Sequence, residues 1–191
     1  MQLIGKPVCG GLLSFSLVLG CVATDQTARG QDKTGPAIGT KAPAFKLKDQ
    51  TGKERSLEEF LKKGKVALVF YRSAGWCPFC QKHLVQMQSD LKELEAASFS
   101  VVGISYDSVD TLATFADKRK ITFTLLSDPG SKTIVAYGLL NKEAAGKAEG
   151  IAYPGTIVLD REGVVRAKLF MDGYRDRHTA SDLLKAGKEI R

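Results

Sequence analysis

Val66-Ala67-Leu68-Val69-Phe70-Tyr71, followed five residues later by Trp76-Cys77-Pro78-Phe79-Cys80, is the stretch from which the rest of the chain is read. Six consecutive apolar residues predict a central strand buried on both faces. Pro78 suits the first turn of a helix, because it has no N–H to leave unpaired there. Cys77 and Cys80 therefore sit where a buried strand gives way to a helix, close enough in sequence to make and break one disulfide. A helix start also lowers the pKa of the first thiol, and the thiolate is the nucleophile in thiol chemistry.

Working downstream, the sequence predicts a long helix over 77–97. Leu84, Met87, Leu91 and Leu94 recur at three and four residues and give it one core-facing stripe. A strand over 99–105 follows, then a helix over 109–120 with Leu112, Phe115 and Ala116 inward, a short strand over 123–126 and a helix over 132–137 that stops at Gly138. Residues 139–150, rich in Lys, Glu, Ala and Gly, read as an exposed excursion. A hairpin is expected over 156–170 around Arg161-Glu162-Gly163, and a last helix over 179–189 with Leu183, Leu184 and Gly187 inward. Upstream, 44–48 alternates as a half-buried strand, Asp49-Gln50-Thr51-Gly52 is a turn, and residues 53–55 pair back across it. Ser56-Leu57-Glu58-Glu59 reads as a capping box opening a short helix. The order predicts an α/β domain, a central mixed sheet with helices on both faces and an N-terminal β-hairpin extension.

The chain has 191 residues, 43% of them hydrophobic and 26% charged, enough for one cored domain with appendages. Residues 8–20 are uncharged and mostly apolar, follow a start that carries only Lys6, and end at Cys21. This resembles a bacterial lipoprotein signal, with plain secretion or an uncleaved anchor as the alternatives. The expected organisation is a signal over 1–21 with Cys21 lipidated, a flexible linker over 22–38 and a redox domain over 39–191. The expected location is the cell envelope, periplasmic or extracytoplasmic, with membrane contact only through the N-terminal anchor. The formal charge is +7, but the cations are scattered. The densest clusters, Lys62-Lys63-Gly64-Lys65 and Lys118-Arg119-Lys120, sit at expected helix ends, where they oppose the helix dipole. That argues against a nucleic-acid partner. With Cys9 in the signal and Cys21 lipidated, Cys77 and Cys80 are the thiols left in a mature chain. A loop that short adds little as a structural staple, so a redox role explains the pair better.

Further segments share an order with Cys77 and Cys80: Ala42-Pro43-Ala44-Phe45, Gly103-Ile104-Ser105-Tyr106-Asp107-Ser108, Leu126-Ser127-Asp128-Pro129, Tyr153-Pro154-Gly155-Thr156 and Leu159-Asp160-Arg161-Glu162-Gly163. Together they resemble the thioredoxin superfamily, and within it the redoxin branch that includes the peroxiredoxins of the alkyl hydroperoxide reductase and thiol-specific antioxidant family. The resemblance implies a thioredoxin fold and a thiol oxidoreductase of antioxidant character. Cys77 would attack a hydroperoxide or a protein disulfide, Cys80 would resolve the product, and an external thiol reductant, thioredoxin-like or membrane-supplied, would reopen the disulfide. It also implies a Cys77 pKa below the ordinary value of about 8.5. No cofactor and no metal are implied. Trp76 is expected beside the site, either as a docking aromatic or packed. Tyr153 and Pro154 lie on the strand across from the cysteines, with Pro154 the candidate cis residue, and Arg72 is a candidate to approach from the first strand. The pattern also departs from peroxiredoxins, which place proline and threonine or serine where this chain has Phe70 and Ala74. Two alternatives stay open: disulfide exchange without peroxidase activity, and a copper-binding protein using Cys77, Cys80 and His83. His178 is expected at the surface.

Overall fold

The computed structural model describes residues 35–171 and 175–190. The signal segment, Cys9, Cys21 and linker residues 22–34 lie outside the described residues. The elements in chain order are β1 (Lys46–Asp49), β2 (Glu54–Ser56), α1 (Leu57–Leu61), β3 (Lys65–Phe70), α2 (Pro78–Ser89), α3 (Leu91–Ala96), β4 (Phe99–Ser105) and α4 (Val109–Arg119). They continue with β5 (Thr124–Ser127), α5 (Lys132–Ala136), a 3-10 turn (Gly146–Ala148), β6 (Gly155–Leu159), β7 (Val165–Leu169) and α6 (Ala180–Lys188).

The strands form one mixed sheet in the order β2-β1-β5-β4-β3-β6-β7. β3 lies parallel to β4 and antiparallel to β6, with Phe70 opposite Ile104 and Gly155. The β1–β2 hairpin is joined to the sheet through β5. Because successive side chains of a strand point to opposite faces, β3 feeds two cores. Ala67 and Val69 pack with Leu84 and Met87 of α2, Leu94 of α3, Leu112 of α4 and Leu183 of α6. Val66, Leu68 and Phe70 pack with Leu57 and Phe60 of α1 and Ile134 of α5. Helices therefore cover both faces, and the apolar run at 66–70 is buried throughout. This is the thioredoxin-type α/β arrangement, and it fixes where the chain leaves β3: at the sheet's carboxyl end, beside the start of β6.

Two expectations are corrected and a third is sharpened. The single helix over 77–97 is two helices: Asp90 leaves helical geometry, with φ −95° and ψ 3°. Its neighbour Ser89 and Asp90 itself are weak helix formers whose side chains bond to local groups. Ser89 Oγ donates to the Val85 carbonyl and the Gln86 side-chain amide donates to Asp90. The stripe survives the break, since Leu84, Met87, Leu91 and Leu94 are all buried. Ser56 caps α1 without a side-chain hydrogen bond, whereas a capping box forms at α6 between Thr179 and Asp182. The excursion over 139–150 is exposed through its middle, as expected, and is docked at points: Leu139 is buried, Leu140 bridges Ala152, and the Tyr106 hydroxyl donates to the Lys147 carbonyl.

Candidate active site

Cys77 is the N-cap of α2, with Pro78 opening the helix. Its sulfur accepts a hydrogen bond from the Cys80 N–H at 3.2 Å. Backbone N–H groups at a helix start have no intrahelical partners and favour an anion, so the sulfur occupies the place where a thiolate is best stabilised. Cys77 and Cys80 are joined as a disulfide with Cα atoms 5.3 Å apart, in the ordinary range for such a bond. Both are buried, whereas Pro78 is exposed and Trp76 and Phe79 are partly buried around them.

The loop that delivers Cys77 is fastened by one carboxylate. Asp107, two residues beyond β4, accepts from the Ser73 hydroxyl at 2.7 Å, the Ala74 N–H at 2.7 Å and the Ser105 hydroxyl at 2.8 Å. The Ser73 oxygen in turn accepts from the Gly75 and Trp76 N–H groups. Trp76 is packed on its polar side: its indole N–H donates to the Tyr106 hydroxyl at 2.8 Å, and Lys147 Nζ lies 5.8 Å from the ring centre. A groove of about 400 Å³ runs beside this loop, bordered by Ala74, Gly75, Gln81, Thr111, Phe115 and Lys118.

Behind the disulfide lies a second layer. The Arg177 guanidinium reaches Cys80 Sγ at 3.8 Å. His83, one turn beyond Cys80, packs edge-to-face on His178 with ring centres 4.8 Å apart. His178 Nε2 pairs with the Thr156 hydroxyl of β6 at 2.5 Å. His178 is buried, which corrects its expected surface placement; the sequence around it is charged, but its ring turns inward just before α6. Burial, reinforced by His178 and Arg177, pushes the His83 pKa from 6.5 down to about 3. Burial also holds His178 below the usual histidine value, so both rings are neutral at pH 7. The His83 ring is committed to His178, and among the described residues no cluster of three His, Cys, Asp or Glu side chains is placed to hold a metal.

The remaining expected site residues share this end of the sheet. Arg72 is buried two residues beyond β3. Tyr153 and Pro154 precede Gly155, which pairs with Phe70, and the Tyr153 N–H donates to the Leu139 carbonyl at 2.7 Å. Every peptide bond among the described residues is trans, Tyr153–Pro154 included. That corrects the candidate cis bond, trans being the favoured isomer of an X–Pro peptide unless tertiary contacts override it.

The AhpC/TSA family matches residues 38–168. The chain belongs to the AhpC/TSA family. Chloroplastic peroxiredoxin Q of Suaeda salsa is 36% identical over 160 residues, covering 83% of this chain and 71% of its own length. The Sedum lineare peroxiredoxin Q is 38% identical over 128 residues, covering 67% and 66%. Among solved structures, peroxidoxin BcpB of Mycobacterium tuberculosis matches with TM-score 0.72 and 29% identity, over 81% of this chain and 97% of its own. The reduced 2-Cys peroxiredoxin of Plasmodium vivax, at 22% identity and TM-score 0.68 over 80% and 81%, shares the fold. The chain is accordingly a peroxiredoxin-like thiol oxidoreductase.

Within this AhpC/TSA protein, Ala74 stands three residues before Cys77, where peroxiredoxins carry a hydroxyl. The adjacent Ser73 hydroxyl does not substitute, because its hydrogen goes to Asp107 and its oxygen to two backbone N–H groups. Arg177 and the roles of Asp107 and His178 were missed from sequence. Arg177 lies 97 positions from Cys80, and no local pattern links them; Asp107 was visible only as part of a family segment.

Proposed function

We propose that this protein reduces hydroperoxides through Cys77, with Cys80 as the resolving thiol. The observation that carries the reading is the placement of Cys77: a sulfur at the N-cap of α2, receiving an N–H from the cysteine one turn on, in a chain of the peroxiredoxin family. The Cys77 thiolate attacks the terminal oxygen of ROOH, the O–O bond breaks, and ROH leaves after taking up a proton. Cys77 is left as a sulfenic acid. The Cys80 thiol attacks that sulfur, water departs, and the disulfide closes. Two thiol equivalents from an external reductant restore the dithiol.

Disulfide exchange is the second reading, favoured by Ala74 and by the commitment of Ser73, which leave the peroxide without the usual hydroxyl. The separating experiment measures hydroperoxide consumption and protein-disulfide reduction side by side, with dithiothreitol as reductant. We expect the wild type to turn over hydroperoxide and Cys77→Ser to be inactive. With reductant left out, Cys80→Ser should consume one equivalent and leave a trappable sulfenic acid at Cys77. Full activity of Cys77→Ser in both assays sinks both readings. Protein-disulfide reduction without hydroperoxide consumption selects the second.

A further inference from the structure

We propose that Arg177 is a positioning residue for Cys80: its guanidinium holds the Cys80 sulfur as a thiolate, so that reductive opening of the disulfide runs by attack at Cys77 and departure of Cys80. The assignment rests on Cys77 and Cys80 being the redox couple described above.

The contact is direct, Arg177 Nη2 donating to Cys80 Sγ at 3.8 Å. Cys80 is fully buried, where a thiolate lacking a counter-charge is costly and the thiol pKa rises. The titratable and charged groups on α2 and on the segment that leads into and opens α6 differ in what they can supply. His83, from the next turn of α2, and His178, beside Arg177, are both held neutral by burial. The Asp182 carboxylate accepts from the Thr179 N–H and hydroxyl. Arg175 sits over the Phe79 ring at 5.6 Å. Arg177 touches the sulfur itself and cannot lose its proton. Its Nη1 donates to the Asp176 carbonyl at 2.5 Å, which fixes one side of the fork.

The two sulfurs are thereby stabilised by different devices: Cys77 by the helix start, Cys80 by a guanidinium. A thiolate with a lowered pKa leaves faster. In the step inferred, an external thiolate forms a bond to Cys77 Sγ, the Cys77–Cys80 bond breaks, and its electron pair stays on Cys80 beside Arg177. A second external thiolate then attacks the outer sulfur of the mixed disulfide. The reductant leaves as its own disulfide and Cys77 is released as thiolate, two electrons having passed to the protein. The same pairing presents an ionised Cys80 to the Cys77 sulfenic acid on the oxidative side.

The test reads Cys80 alone. In Cys77→Ser protein, the pH dependence of iodoacetamide alkylation at Cys80, located by peptide mass mapping, gives its thiol pKa. Adding Arg177→Gln should raise the midpoint by about one pH unit or more, and Arg177→Lys should recover most of the shift, which a merely structural role would not do. An unshifted midpoint in Arg177→Gln overturns the assignment. Should the glutamine variant not fold, oxidised wild-type protein treated with glutathione decides. The mixed disulfide is expected on Cys77, and its appearance on Cys80 overturns the proposal. A wild type that fails to consume hydroperoxide sinks the peroxidase reading and leaves the Cys80 titration standing. An unshifted Cys80 with intact peroxidase sinks only the role of Arg177.

Discussion

Asp107 accepts from two hydroxyls and one backbone N–H while only 7% exposed, so each of its oxygens is doing positional work on the loop before Cys77. Replacing it with asparagine turns one acceptor into a donor that faces the Ala74 N–H or a serine hydroxyl. Breaking a buried, charge-assisted hydrogen bond costs about 1.5–3 kcal/mol. Asp107→Asn is expected to lose stability of that size in urea unfolding. It should also slow Cys77 alkylation in the folded protein, because the loop from Ser73 to Trp76 loses its anchor. A stable variant with unchanged Cys77 reactivity would show that the carboxylate only supports β4. At this scale the sequence was half legible. Cys77, Cys80 and Pro78 announce a disulfide-forming pair at a helix start through spacing and backbone chemistry. Asp107, Arg177 and His178 do not, since a charged residue in a polar stretch looks solvated until the fold turns it inward.

The elements were legible where a periodic apolar pattern was long enough to override local preferences. β4 has the bounds expected, and α4 buries the three residues its periodicity selects, Leu112, Phe115 and Ala116. The break at Asp90 was hidden for the same reason: the stripe continues across it, so periodicity reports one helix where the backbone makes two. The α1–β3 connection depends on a backbone approach that no pattern reveals. Gly64 has φ 152°, and a Cβ there would lie 2.4 Å from the Ser98 carbonyl oxygen, the same oxygen that accepts from the Lys65 N–H at 2.9 Å. Gly64→Ala must push that strand-entry contact apart, an overpacking cost of about 1–3 kcal/mol. The loss should appear as a lower urea midpoint with unchanged hydroperoxide turnover per folded molecule. The six residues of β3 keep Gly64 about 20 Å from the loop that carries Cys77. Unchanged stability would mean that the Ser98 turn yields freely.

For the whole molecule, topology decides what the sequence could not: β6 and the approach to α6 return to the exit of β3, so Thr156, Arg177 and His178 meet the helix carrying Cys80 and His83. That convergence buries two histidines and makes stability depend on pH. Both have folded-state pKa values below their ordinary 6.5, His83 at about 3, with burial the leading cause in each case. Below the unfolded value, the unfolded chain binds protons at these rings that the native protein refuses. Stability is therefore fully present above pH 6.5 and is lost as pH falls towards the native pKa. Each ring contributes a slope of up to about 1.4 kcal/mol per pH unit. Asp128, raised by burial, acts in the opposite sense but nearer the carboxylate range, whereas Asp160 and Asp182 are lowered and add to acid sensitivity there. Between about pH 7.5 and about pH 5 the histidines should dominate. The urea midpoint is expected to fall across that interval with little change in the denaturant slope, and His83→Leu should flatten the decline. A midpoint constant over the interval in the wild type would mean that the rings accept protons in the native state. They would then stand as cations beside Arg177 and Cys80.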